Sequence, residues 1–209
     1  MKASFRFINL LMALALAIGA VVTAAPPQPV QAASTSLVIS QFQVAGGTAA
    51  DEFIEIHNVS GSAIDINGYK IAYRSSDGTS DVTLLTFSAS TIIPAGGYYL
   101  IAAVIVSAAG YDGTTTADIT YSHSGTGALS GSSGGLAIRD SSNNIVDSVG
   151  YGSATNIFVE TTPTSSPAAN NSKSRLNSGC TDTDNTLVSA KSVNRSSRRG
   201  SPGTEHLIN

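Results

Sequence analysis

The histidines are the first residues to consider for catalysis, and the chain has three of them: His57, His123 and His206. A Ser-His-Asp enzyme needs a histidine that a carboxylate orients and that faces an activated serine. Glu55 shares a strand face with His57 and can orient it, but serines are spread throughout the chain and none is singled out. We therefore predict that no triad forms and that His57 is a polar strand residue at the protein surface.

Pairs of carboxylates are the next candidates, because glycosidases use two of them on either side of a cleft. Glu52 and Glu55 are three positions apart on one predicted strand, so they point to opposite faces. Asp51 and Asp147 are a pair that a fold can bring together, although nothing in their spacing requires it. The sequence predicts no catalytic carboxylate pair.

Metal ligands and phosphate loops are equally sparse. Zinc spacings of Cys and His are absent. Asp182 and Asp184 offer oxygen ligands for calcium, but the third acid, the Gly and the final Glu of an EF-hand loop are missing. An Asx-turn is the simpler interpretation of these residues, and a calcium-dependent adhesive module is kept as an alternative. The glycines between residues 125 and 135 lack the Lys and the following helix of a P-loop.

Two further features bear on binding rather than catalysis. Residues 107–135 form a long Gly/Ser/Thr segment, which is suited to a recognition loop on a rigid scaffold. The C-terminal stretch carries Lys191, Arg195, Arg198 and Arg199, and we interpret it as a solvated basic tail because no aromatic side chain accompanies it. The single cysteine, Cys180, is either free or paired with another chain. The sequence therefore assigns no catalytic, cofactor-binding or metal-ligating residue and predicts no cofactor.

The beginning of the chain has the features of an export signal. Lys2 and Arg6 precede an apolar run over residues 10–22. Two cleavage sites fit, Val22-Thr23-Ala24 and Val30-Gln31-Ala32, and we favour the second because the prolines before it suit an extended spacer. Cleavage after Ala32 leaves a chain that we expect to be secreted, with no membrane-associated part. An uncleaved N-terminal anchor is the alternative. The predicted organisation is a signal peptide over residues 1–32, a linker over 33–36, one domain over 37–203 and a tail over 204–209.

Composition and patterning favour a single all-β domain. The chain is 42% hydrophobic but only 12% charged, with 20 Gly among its 209 residues and a net charge of −3. Short alternating runs separated by turn residues predict eight or nine strands and essentially no helix. The runs cover residues 37–44, 52–59, 63–73, 81–87, 98–106, 119–121, 135–140 and 144–150, with weaker candidates at 157–160 and 172–176. An Asn67-Gly68 dipeptide marks a turn or bulge inside the third run.

Several of these segments resemble the lamin tail domain family, and they occur in the family's order. The segments are DEFIEIHN at residues 51–58, IDINGY at 64–69, IPAGGYY at 93–99, and GLAIRD with NIVDSVGY at 135–140 and 144–151. Weaker similarity to secreted bacterial members follows at ETTP (160–163), SRL (174–176) and CTDTDN (180–185). The aromatic residue of the next strand is missing from LVSAK at 187–191, and RRGSP at 198–202 replaces the usual ending.

The resemblance implies an immunoglobulin-like β-sandwich that acts as a non-catalytic interaction module. Its ligand would be a protein or an envelope polymer outside the cell. A secreted hydrolase, or a domain that accompanies one, is the alternative, because bacterial relatives often occur with hydrolases. Turn positions Gly61, Gly68 and Gly97 are predicted to need a positive φ or a close approach of the backbone.

Overall fold

A computed structural model describes residues 34–105, 110–123, 128–176 and 187–189, which form twelve β-strands. The strands are β1 Leu37–Gln43, β2 Phe53–Asn58, β3 Ile64–Asp65, β4 Lys70–Ser75, β5 Val82–Thr86, β6 Ile92–Ile93, β7 Tyr98–Ile105, β8 Ile119–His123, β9 Gly134–Arg139, β10 Ile145–Tyr151, β11 Lys173–Arg175 and β12 Leu187–Ser189.

The strands form two large sheets and one small one. The first sheet has six strands in the order β12-β11-β1-β2-β7-β8, and the second has four in the order β10-β9-β4-β5. Strands β3 and β6 form a separate two-stranded sheet. All pairings are antiparallel except that of β7 with β8, which the chain connects through residues 106–118. Two parallel strands need such a crossover connection, because a tight turn reverses the direction of the chain and so joins antiparallel strands.

The hydrophobic core lies between the two large sheets, as in an immunoglobulin-like β-sandwich. Ile54 and Ile56 extend into it from β2, as their shared parity predicts, and Ile71 and Ile138 extend into it from the four-stranded sheet. None of these side chains is more than 1% exposed. Each contributes roughly 1.5–3 kcal/mol by leaving water, so the core accounts for much of the gain in stability.

Most of the predicted strands are confirmed, and the differences lie at turns. The predicted run over residues 63–73 is two strands, β3 and β4, because the chain turns at Gly68, whose φ is +79°. The predicted hairpin across residues 141–143 is confirmed as β9–β10. The strand predicted over 157–160 is wrong, since this segment forms a turn that buries Phe158 against the outer face of the four-stranded sheet.

The prediction for the three turn glycines is confirmed for two of them. Besides the positive φ of Gly68, a Cβ at Gly97 would lie 2.9 Å from the Pro94 carbonyl oxygen, which is a close approach. The prediction for Gly61 is wrong: its φ is not positive, and no atom lies within 4 Å of where a Cβ would be.

Candidate interaction surface

The last residue of β2, Asn58, ties together two of the turns at one end of the sandwich. Its side-chain amide donates to the carbonyl oxygens of Ser62, Ile93 and Pro94 at 2.8, 2.9 and 3.0 Å. Its Oδ1 accepts from the backbone N–H of Ser60 at 3.0 Å. Asn58 is completely buried, so these bonds replace the hydrogen bonds that its amide would form with water in the unfolded chain. Its role is structural.

Glu52, just before β2, holds the long loop at the opposite end of that strand. Its carboxylate accepts hydrogen bonds from the Tyr121 hydroxyl at 2.8 Å and from the backbone N–H groups of Ala128 and Leu129 at 3.1 and 2.8 Å. Burial raises the pKa of Tyr121, and the neighbouring carboxylate of Glu52 raises it further. The phenol therefore stays protonated and available as a donor.

Two more tyrosines complete this arrangement at Ser130. The Tyr151 hydroxyl donates to the Ser130 carbonyl oxygen at 2.8 Å, and the Tyr73 hydroxyl accepts from the Ser130 N–H at 3.3 Å. Burial, and then the proximity of Tyr73, raises the pKa of Tyr151. We call Glu52, Tyr73, Tyr121 and Tyr151 the loop latch, because together they fix residues 128–130 to the sandwich.

The expectation that no serine is singled out is wrong at the level of spacing, because Gly131, Ser133 and Gly135 have the Gly-x-Ser-x-Gly spacing of a nucleophile elbow. A nucleophile elbow requires a sharp turn from a strand into a helix. Here the segment leads into strand β9 instead. The spacing is therefore part of an ordinary loop-to-strand transition that follows the loop latch.

His57 and Glu55 lie on the face of the six-stranded sheet that points away from the core. The prediction that His57 is a surface residue is wrong: it is 3% exposed, and its ring stacks on Tyr98 with 4.0 Å between ring centroids. Glu55 is 1% exposed and accepts a 2.7 Å hydrogen bond from the Ser40 hydroxyl. Glu52 and Glu55 face opposite sides of the sheet, as predicted. Buried to this degree, His57 and Glu55 do not present a reactive surface to a substrate.

Asp147 forms a buried ion pair with Arg175. The Arg175 Nη2 lies 2.8 and 3.0 Å from the two Asp147 carboxylate oxygens, and the side chains are 2% and 0% exposed. Asp147 also accepts from the Ile39 N–H at 2.6 Å, and the Arg175 Nε donates to the Ile39 carbonyl oxygen at 3.1 Å. The register of β1 with β2 shifts between Ile39 and Gln41, so the pair clamps β1 at this bulge. Asp51 instead accepts from the backbone N–H groups of Gly47 and Asp112.

The outer face of the four-stranded sheet carries a group of cations that the sequence reading did not single out. We call Lys70, Arg74 and Arg139, together with Asp81, the cationic face. Asp81 bridges the two arginines, with each Nε donor 2.5 Å from one carboxylate oxygen. The Phe158 ring lies beneath both guanidinium groups, with centroid distances of 5.2 and 5.4 Å.

The charges of this face determine whether the Asp81 carboxyl is ionised. Burial by itself raises the pKa of its carboxyl, but hydrogen bonds and charges from Arg139 and Arg74 outweigh that effect, and the pKa is lowered. Asp81 therefore remains ionised. The signal that points to this cluster is parity, since Lys70 and Arg74 alternate with apolar residues along β4 and thus share its outer face.

Several candidate residues of the sequence analysis lie outside the described residues, and their predictions stay untested. These are the signal peptide over residues 1–32, Gly125 and Gly127, Cys180, Asp182, Asp184, Lys191, Arg195, Arg198, Arg199, His206 and the C-terminal tail over 204–209. The side chain of His123 belongs with them.

Within the part of the chain that the structure describes, no three His, Cys, Asp or Glu side chains gather where they could hold a metal ion. The same residues include no helix of the length and apolar character needed to cross a membrane.

Comparisons with known proteins agree with this architecture. A search of curated proteins found no match. The family model of the lamin tail domain matches residues 30–153, which include the strands from β1 to β10 and more than half of the chain. The matched region contains the latch residue Glu52, the turn residue Asn58 and the cationic face. The chain thus belongs to the lamin tail domain family, whose members have an immunoglobulin-like fold.

Proposed function

We propose that this protein is a secreted, non-catalytic binding module whose ligand is a protein or an envelope polymer outside the cell. The observation that carries the proposal is the placement of the groups that could do chemistry. Glu52, Glu55, His57 and Asp147 are each no more than 3% exposed. The carboxylates of Glu52, Glu55 and Asp147 form hydrogen bonds or an ion pair that hold strands and loops together. Family membership supports an interaction role for the surface that remains.

Export is supported by the character of the first 32 residues. A basic start, an apolar run and a small-residue cleavage site together are typical of a secretory signal. We expect the intact mass of protein recovered from the culture medium to correspond to a chain that begins at Ala33. Protein that stays inside the cell with residues 1–32 attached would contradict the export part of the proposal.

Binding is tested by co-sedimentation of the exported chain with envelope purified from the producing cells. Saturable sedimentation is expected for the folded wild-type chain. Heat-denatured wild-type chain serves as the control for adhesion of unfolded protein. Sedimentation that never saturates, or that is equal for the unfolded control, would contradict a binding role.

The alternative function is that of a hydrolase, and an activity assay distinguishes it from the proposed binding function. The exported chain is incubated with chromogenic phosphodiester and glycoside substrates over a range of protein concentrations. We expect no hydrolysis above the buffer blank, because Glu52, Glu55, His57 and Asp147 are buried in the sandwich. Hydrolysis that rises in proportion to protein and survives repeated purification would overturn the non-catalytic assignment.

A further inference from the structure

The distribution of charge over the described residues is uneven. Those residues contain eleven Asp and Glu but only five Lys and Arg, so this part of the chain is acidic. Two of the five cations, Lys173 and Arg175, belong to β11, and Arg175 forms the buried ion pair with Asp147. The other three form the cationic face. A locally positive surface on an acidic protein is where an anionic ligand is attracted.

Within the cationic face, two cations lie directly opposite each other. Lys70 of β4 and Arg139 of β9 are register partners, so their side chains leave the same face of the sheet. Like charges at such positions destabilise a sheet. The single carboxylate of Asp81 is shared by Arg74 and Arg139, and the hydrogen bond recorded for Lys70 is a long one of 3.4 Å to the exposed Asn143. Placing Lys70 opposite Arg139 therefore lowers the stability of the sheet, so stability does not explain this arrangement.

Two further carboxylates, those of Asp140 and Glu160, lie near this face. Asp140, in the β9–β10 turn, accepts from the N–H and the side-chain amide of Asn144 at 2.8 and 2.9 Å. Glu160 lies at the β10 side, 3.5 Å from the Ser148 hydroxyl, which is two register positions away from Arg139. Because Ser148 pairs with Ala137 and Ala137 pairs with Ala72, Glu160 lies level with the middle of the face, two register positions from Lys70 and two from Arg74.

Exposed neutral groups surround these cations. Thr86 is the register partner of Lys70 on β5, Thr83 is the partner of Ala72, and both threonines are exposed. The exposed Asn143 receives Lys70 at its side-chain oxygen and Arg139 at its carbonyl oxygen. Hydroxyl and amide groups beside fixed cations suit a ligand that carries both hydroxyls and anionic groups. Phe158, the aromatic ring of this face, is completely buried, which disfavours base stacking with a nucleic acid.

We propose that the cationic face binds an acidic, hydroxyl-rich envelope polymer through its carboxylate or phosphate groups. Lys70 supplies the accessible charge, while Arg74 and Arg139, fixed by Asp81 and Phe158, supply a positive field beneath it. Thr83, Thr86 and Asn143 provide hydrogen bonds to hydroxyl groups of the polymer. This inference rests on the proposed function and assigns to it a surface and a class of ligand.

The test is a binding titration of the exported chain against polygalacturonate, a glycerol-phosphate polymer and duplex DNA. The two polymers separate carboxylate from phosphate recognition. We expect Lys70→Gln to weaken polymer binding about threefold or more, and Thr86→Asp, which places an anion beside Lys70, to weaken it at least as much. Lys70→Arg keeps the charge and retains binding. Raising salt from about 50 to 200 mM weakens the wild-type complex.

Lys191→Gln is the matched control, because it removes one lysine from the basic C-terminal stretch instead of the cationic face. Loss of binding in Lys191→Gln but not in Lys70→Gln would overturn the proposal and assign the charge contact to that stretch. Tighter binding of DNA than of either polymer would overturn it in favour of a nucleic acid. Saturable binding to whole envelope without binding to either polymer would refute this surface and leave the proposed function standing, whereas no binding to envelope would refute the proposed function itself.

Discussion

The buried ion pair between Asp147 and Arg175 gives the sharpest prediction about what holds this sandwich together. The Asp147 carboxylate takes hydrogen bonds from the Ile39 N–H and from Arg175, and Arg175 returns one to the Ile39 carbonyl oxygen. The pair thereby joins β10 of the four-stranded sheet to β1 and β11 of the six-stranded sheet. Replacing Asp147 by Asn leaves the 2%-exposed guanidinium buried without its anion.

The expected cost of Asp147→Asn is about 3–5 kcal/mol of unfolding free energy, because removing one partner of a buried pair strands the other charge in a poor solvent. In a domain of this size the melting temperature should fall by roughly 6 to 20 °C. Urea denaturation followed by circular dichroism measures the free energy directly, and tyrosine fluorescence provides a second probe, since the chain has seven Tyr and no Trp.

The double variant Asp147→Asn with Arg175→Met completes a thermodynamic cycle. It should be less destabilised than the sum of the two single variants, because the second change removes the stranded charge. Asp77→Asn, at an exposed turn position, is the control and should change stability by less than about 0.5 kcal/mol. A cost below about 1 kcal/mol for Asp147→Asn, or strict additivity in the cycle, would refute the clamp.

Three further changes test other parts of the structure. Asn58→Asp should cost about 3 kcal/mol or more in a urea titration, because it sets a carboxylate against three carbonyl oxygens; a cost near zero would contradict the structural role of the Asn58 amide. Glu52→Gln should cost about 1–3 kcal/mol and speed hydrogen exchange at the Leu129 amide, whereas unchanged exchange would argue against the loop latch. Asp81→Asn should destabilise at pH 7 by roughly 1 kcal/mol. The folded-state pKa of Asp81 is lowered, so its contribution is present above a pH of about 4 and disappears as the pH falls below that. Wild-type and variant melting temperatures should therefore converge in acid, and a constant difference down to about pH 2 would contradict the ion-pair assignment.

The strands and their inward faces could be predicted from the sequence because both depend on local pattern. Alternation in the segment around Ile54 and Ile56 fixes which side chains enter the core, and Gly68 marks the turn that separates β3 from β4. The turn containing Phe158 was harder to predict. The apolar pattern of this segment is typical of a strand when only neighbouring residues are considered. Phe158 is instead buried by packing against Ala72 and Ala137, which are distant in the chain.

The burial of polar residues could not be predicted, because it depends on contacts between distant segments. A strand face with Glu55 and His57 looks solvated when only its own residues are considered. The partners of Glu52 lie 76 and 77 positions away at Ala128 and Leu129, and Asp81 meets Arg139 across 58 positions. Nothing in local spacing reports such pairings, although parity alone places Lys70 and Arg74 on one face.

We propose that this lamin tail domain binds a ligand outside the cell and does not perform catalysis. A binding isotherm of the exported chain on purified envelope, recorded while the supernatant is monitored for released fragments, tests it most directly. We expect saturable binding that weakens as the salt concentration rises and that leaves the envelope chemically unchanged. Release of soluble fragments in proportion to added protein, or the absence of saturable binding by the folded chain, would contradict it.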